Sequence, residues 1–107
     1  NLKNETLKSN NEFKRVFLSG DKRIGKYVIL YFLPIERNIN RYGIITKKYI
    51  GNAVKRNRIK RILREILRNK YSNLLSGYDI VILARKNIIN ASFKEIEEDI
   101  VKLINKL

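Results

Sequence analysis

From Lys55 to Arg68 the chain reads KRNRIKRILREILR, with Ile59, Ile62, Leu63, Ile66 and Leu67 spaced among the cations. Side chains of this kind neutralise and orient phosphates. A guanidinium offers a planar fork of donors to two phosphate oxygens, and an ammonium offers a point charge. At about 100° per residue the five apolar residues fall in one stripe suited to packing on a sheet, with Leu67 at its edge. Asn57, Arg61, Arg64 and Arg68 then line the opposite face. Arg56, Lys60 and Arg64 make a second row on the shoulder where helix and sheet meet, with Lys55 and Arg58 on the other shoulder. A solvated helix face normally mixes signs, because like charges four apart repel. Here residues 47–70 hold ten basic side chains and one acid, Glu65, and Arg outnumbers Lys five to one between 56 and 68. Such a face is unfavourable on an isolated helix and favourable against a polyanion, so it is read as a nucleic-acid contact.

Aromatic residues accompany it. Phe13 and Phe17, four apart, share one face of a first helix, and Tyr27, Tyr31 and Phe32 lie in the run YVILYFLP. Alternation along a strand predicts Tyr27 and Tyr31 on one face and Phe32 on the other. Rings beside a basic shoulder form a stacking platform for unpaired bases; the same Phe spacing also serves a hydrophobic core. With no Cys and no His in the chain, disulfides, the usual zinc sites and Cys- or His-based nucleophiles are excluded. No carboxylates are paired for a metal, no helix-turn-helix or RRM signature appears, and the chain makes a poor stand-alone enzyme. Asp79 is read as a residue that caps or orients a neighbour.

The elements that must position these groups follow from pattern. Residues 1–9 are polar and expected to be flexible; Asn10 or Asn11 caps the first helix, which stops at Ser19-Gly20. Tyr27–Pro34 and Arg41–Thr46 read as strands joined by a turn at 36–40, with room for a short strand in 21–26. Gly51 and Asn52 precede the basic helix over residues 53–71, which Ser76-Gly77 closes. Asp79–Arg85 is a buried strand, and Ser92 with Glu95 forms a capping box for a last helix. Phe93, Ile96, Ile100, Leu103, Ile104 and Leu107 give that helix one apolar face. A strand–helix–strand unit from 41 to 85 predicts a parallel pair, so the class is α+β: helices on a mixed sheet of about four strands.

At 107 residues the chain is expected to be one RNA-binding domain spanning 1–107. Its net charge of +14, from 24 Lys and Arg against 10 Asp and Glu, calls for a polyanionic partner. No apolar run approaches the roughly 18 residues of a membrane span, and no signal-peptide pattern opens the chain. It begins without Met, as expected of a processed or trimmed polypeptide, and the expected location is the reducing cytoplasm.

The run Gly51-Asn52-Ala53-Val54-Lys55-Arg56-Asn57-Arg58-Ile59-Lys60-Arg61, followed by Arg64, closely resembles the signature of the protein subunit of bacterial ribonuclease P. The resemblance extends through the Phe13–Gly20 helix, Tyr27–Leu33, Asp79–Lys86 and the last helix. It implies a two-layer sandwich like domain 2 of ribosomal protein S5. It also implies a holoenzyme of one protein and one catalytic RNA that removes the 5′ leader from precursor tRNA, with Mg²⁺ held mainly by the RNA and no catalytic or metal-binding residue on the protein. One protein per RNA is implied, a higher oligomer is left open, and no membrane is involved. Carried over by position, Lys47, Lys48, Asn52, Arg56, Asn57, Arg58, Lys60, Arg61 and Arg64 face RNA, and Phe13, Phe17 and Tyr31 line the leader cleft. Arg68 extends the set by helical geometry. In gapless register Tyr49 stands where the family carries its second lysine, and Lys47 adds a charge one step earlier. Two other readings fit the charge: a ribosomal or tRNA-binding protein with no cleavage role, and a basic helix lying on a membrane surface.

Overall fold

The computed structural model describes residues 3–70 and 77–107. The elements run β1 (Lys3–Thr6), α1 (Asn10–Ser19), β2 (Asp21–Ile24), β3 (Val28–Pro34), β4 (Ile39–Ile45), α2 (Ala53–Lys70), β5 (Tyr78–Ala84) and α3 (Phe93–Ile104). The strands form one mixed sheet in the order β1-β4-β5-β3-β2. β4 runs parallel to β1 and β5, β3 antiparallel to β5, and β2 antiparallel to β3. The parallel pair joined by the basic helix is therefore β4–α2–β5, in register from Arg41↔Asp79 to Ile45↔Leu83.

Two features differ from expectation at the N-terminus. The stretch expected to be flexible contains β1, whose sequence KNET shows no apolar alternation. It is held by backbone pairing along β4, from Lys3↔Ile39 to Thr6↔Tyr42, and by burial of Leu7 just after it. With β2 forming inside residues 21–26, the sheet has five strands rather than about four. The cap of α1 is Ser9, not Asn10 or Asn11. The Ser9 hydroxyl accepts from the Glu12 N–H at 3.2 Å, and Glu12 Oε1 accepts from the Ser9 N–H at 3.0 Å. Asn and Ser cap about equally well, and the Glu three residues on decides between them. The far end of α2 expected at Tyr71, and its closure at Ser76, lie outside the described residues.

Alternation along the strands divides the core. Val28, Leu30, Tyr42, Ile80, Ile82 and Ala84 face α2 and α3, which cover them with Ile59, Leu63, Ile66 and Leu67 from α2 and Ile96, Ile100, Leu103 and Ile104 from α3. Val81 faces the other way, into a small cluster with Leu7 and Val16 that Phe13, Tyr31 and Ile45 complete. Two helices thus layer one face, and α1 covers part of the other. Each fully buried Ile or Leu contributes roughly 1.5–3 kcal/mol, so the stripe of α2 is committed to the core and is not free to lie on lipid. Tyr27 does not share a face with Tyr31. It precedes β3, is buried beneath α3, donates its hydroxyl to Glu95 Oε2 at 3.1 Å and its N–H to Asp99 Oδ2 at 2.8 Å.

Candidate nucleic-acid interface

The start of α2 is shaped by Gly51 and Asn52. Gly51 takes φ 138°, a region that penalises any Cβ, and Asn52 Oδ1 accepts from the Lys55 N–H at 3.0 Å. The first turn carries no acid, which leaves the positive end of the helix uncompensated beside Lys47, Lys48 and Lys55. Asn57, Arg58, Arg61, Arg64 and Arg68 are exposed, while Arg56 and Lys60 are half-buried at the junction of helix and sheet. Among the described residues none of the α2 cations is in an ion pair; the ion pairs present there belong to Arg41. Arg56 Nε is buried with no hydrogen-bond partner.

A cleft opens where β1 runs out. Its pairing with β4 ends at Tyr42, and β4 continues through Gly43, Ile44 and Ile45. Phe13 from α1 and Lys60 and Arg64 from α2 flank this stretch, together with Thr6 and Leu7. The same cleft extends past Asn10 to Thr46, whose buried hydroxyl has no partner. A Cβ on Gly43 would run into the Phe13 ring, so glycine is what lets that ring approach the sheet. One turn further along α1, the Phe17 ring meets Tyr31 edge-on, with centroids 4.7 Å apart and planes at 79°. Phe17 nevertheless stays 38% exposed, so it packs with one edge and presents the rest to solvent. A separate cavity, lined by Lys26, Tyr27, Glu95, Glu98, Asp99 and Lys102, is rich in acids and does not suit a phosphate chain.

A part-buried ion network ties α1 to the sheet. Arg41 Nε and Nη2 donate to Asp79 Oδ1 and Oδ2 at 2.8 and 2.6 Å, and Arg41 Nη1 donates to Glu12 Oε2 at 2.6 Å. Backbone N–H groups of Lys8 and Ser9, and then the Arg41 charge, hold the Glu12 carboxyl below its usual range. The bidentate bond to Asp79 raises the guanidinium of Arg41 further still. Asp79, read from the sequence as a residue that caps or orients a neighbour, holds Arg41 in this way.

Of the residues expected to bind, Phe13, Lys60 and Arg64 come together in the cleft, with Phe17 and Tyr31 beyond it on the same helix and sheet face. Arg58, Arg61 and Arg68 are exposed on α2 and line neither part of the cleft. Lys47 and Lys48 are exposed at a 3-10 turn over Lys48–Ile50, which the Tyr49 hydroxyl ties to the Ala84 carbonyl oxygen at 2.9 Å. Sequence reasoning missed Asn10, Thr46 and Gly43. The small residue Gly43 inside an apolar strand was the available signal for close approach. Among the described residues no group of three acidic side chains is placed to hold a metal ion, and no helix is long and apolar enough to cross a membrane.

An exposed, unpaired basic helix beside an aromatic-lined cleft defines a small nucleic-acid-binding α+β domain. The family model described as Ribonuclease P matches residues 2–107, and the chain belongs to that family. It is 40% identical over 101 residues to a protein of Natranaerobius thermophilus called "Ribonuclease P protein component", covering 94% of this chain and 88% of the relative. A protein of the same name from Caldanaerobacter subterraneus is 42% identical over 100 residues, covering 94% and 86%. The solved ribonuclease P protein of Thermotoga maritima superposes with a TM-score of 0.87 at 27% identity, covering 95% of this chain and 96% of that one. A Staphylococcus aureus ribonuclease P protein superposes at 0.80 with 27% identity, covering 94% and 92%. The family's role is the 5′ processing of tRNA as the protein component that partners ribonuclease P RNA.

Proposed function

We propose that this chain binds a catalytic RNA through the basic face of α2 and takes the 5′ leader of precursor tRNA into the cleft as an extended single strand. The RNA holds the Mg²⁺ ions and hydrolyses the phosphodiester; the protein supplies affinity and placement. Among the described residues no three acidic side chains are placed to hold a metal ion, and no protein side chain is assigned to the reaction. One protein joins one RNA, in the cytoplasm.

The observation that carries this reading is the pairing, on either side of β4, of a ring with two cations: Phe13 across from Lys60 and Arg64. A single strand offers both partners at once, bases for the ring and phosphates for the cations, with stacking worth about 1–3 kcal/mol per base. A duplex hides its base faces. The exposed remainder of α2, with Arg58, Arg61 and Arg68, is left for the catalytic RNA. A tRNA-binding protein without a cleavage role would share the charge but leave the family match unexplained.

Salt dependence of binding tests the electrostatic half. If about six phosphates are neutralised, log affinity falls against log salt with a slope near −5, less for single strands. A slope near zero would remove the role given to the α2 face.

A further inference from the structure

The aromatic side of the cleft is only as well placed as α1. Two kinds of contact hold that helix on the sheet. One is apolar: Val16 with Leu7 and Val81, Phe13 over Gly43 and Phe17 against Tyr31. The other is directional. The Glu12 carboxylate bridges two structures with its two oxygens, Oε1 accepting the N–H groups of Lys8 and Ser9 at 2.6 and 3.0 Å, and Oε2 accepting from Arg41 at 2.6 Å. Arg41 cannot follow a moving Glu12, because its fork is held bidentate by Asp79, which is 0% exposed. The residue after Glu12 is Phe13, over Gly43 on the same strand as Arg41. An ion network that is largely withdrawn from water is a poor source of net stability, since well-packed apolar residues do as well. What it supplies is direction.

We infer that Arg41, acting through Glu12, is a positioning residue for leader recognition, fixing α1 along the sheet so that Phe13 faces Lys60 across β4. The inference rests on the leader-cleft reading above. It assigns no role to the network in contacts made by α2, which lies on the opposite face of the sheet.

The variant Glu12→Gln isolates the bridge. Gln serves at this position of a capping box, so one oxygen still caps α1, and the Arg41–Asp79 pair is untouched. The lost oxygen becomes an amide N–H₂ facing the Arg41 donor. In the holoenzyme, the preference for precursor tRNA with a long leader over one with a single-nucleotide leader should fall about tenfold, the order expected for one misplaced stacked base. The fall should appear in KM, with kcat and the KM of the one-nucleotide-leader substrate unchanged. In the free protein, the Gly43 α-proton that points at the Phe13 ring should change its ring-current shift. Arg41→Lys should reproduce both effects, because one ammonium cannot hold two carboxylates in a fixed geometry.

An equal loss on both substrates that tracks a lower Tm would make the network a stabilising feature only and overturn the inference. So would unchanged leader preference with unchanged Gly43 resonances. A wild-type holoenzyme with no leader preference would instead refute the cleft reading, and the Gly43 resonances would then decide the positioning claim alone.

Discussion

Replacing Gly43 with alanine tests the contact on which the aromatic wall of the cleft rests. Gly43 lies in extended β4 and does not take a positive φ, so alanine imposes no backbone strain. The new methyl would meet Cε2 and Cζ of Phe13, and an aromatic ring yields only by moving as a whole. Forcing a methyl into such a packed contact costs about 1–3 kcal/mol. For a domain of this size each kcal/mol lowers Tm by roughly 4–8 °C, so a fall of about 5–20 °C is expected. In a chain that also carries Phe13→Ala the methyl has room, and Gly43→Ala should cost under about 0.5 kcal/mol. The double-mutant cycle should thus show a coupling of roughly 1–2 kcal/mol between the two positions. Urea unfolding of the four proteins, followed by circular dichroism at one salt concentration, measures it. If Gly43→Ala costs the same with and without the ring, Phe13 does not rest on the strand, and the wall of the cleft is misplaced.

The same geometry sets three further expectations. Arg64→Ala removes a side chain that is exposed on α2 and lines the cleft; RNA affinity should fall several-fold with Tm unchanged within about 2 °C, and a large loss of Tm would show that the side chain supports the core. Phe17→Ala should weaken binding of leader-bearing substrate by about 1–3 kcal/mol and stability by roughly 1 kcal/mol through the lost edge contact with Tyr31; an unchanged preference of the variant for leader-bearing precursor over mature tRNA would return the ring to a packing role. Glu12, whose carboxyl is held below its ordinary value, contributes stability that is complete above the unfolded carboxylate range and lost as pH falls through the folded value. A Tm-versus-pH profile should therefore be flatter in Glu12→Gln than in wild type below about pH 4.5, and parallel profiles would show that the bridge is absent in solution.

Much of this was legible because it was periodic. Of the α2 stripe, Ile59, Leu63, Ile66 and Leu67 are fully buried or nearly so and Ile62 is partly buried, so its edge falls at Ile62 rather than at Leu67, and the cations on the other face are exposed. β5 reads as buried on both faces because α1 covers one side and α2 and α3 the other. What lacked a period was missed. β1 is placed by backbone pairing and by Leu7 beyond its end, so KNET itself carries no side-chain pattern to read. Tyr27 looked like a strand residue in phase with Tyr31, but the strand begins one residue later, and its hydroxyl is drawn to Glu95 on α3. The Arg41–Glu12–Asp79 network joins residues 29 and 38 positions apart, and only the fold brings them together. The cleft was legible in its cations and rings. Its floor at Gly43 and its polar end at Asn10 and Thr46 depend on where β1 stops, which no local signal sets.

The most direct test combines this protein with a bacterial ribonuclease P RNA at low Mg²⁺ and follows cleavage of a precursor tRNA that carries a leader. Protein-dependent cleavage at the mature 5′ end is expected, together with its loss when Arg56 and Arg61 are both changed to Ala in a chain that still folds. Tight RNA binding with no gain in cleavage would contradict the proposed role and leave a basic RNA-binding domain.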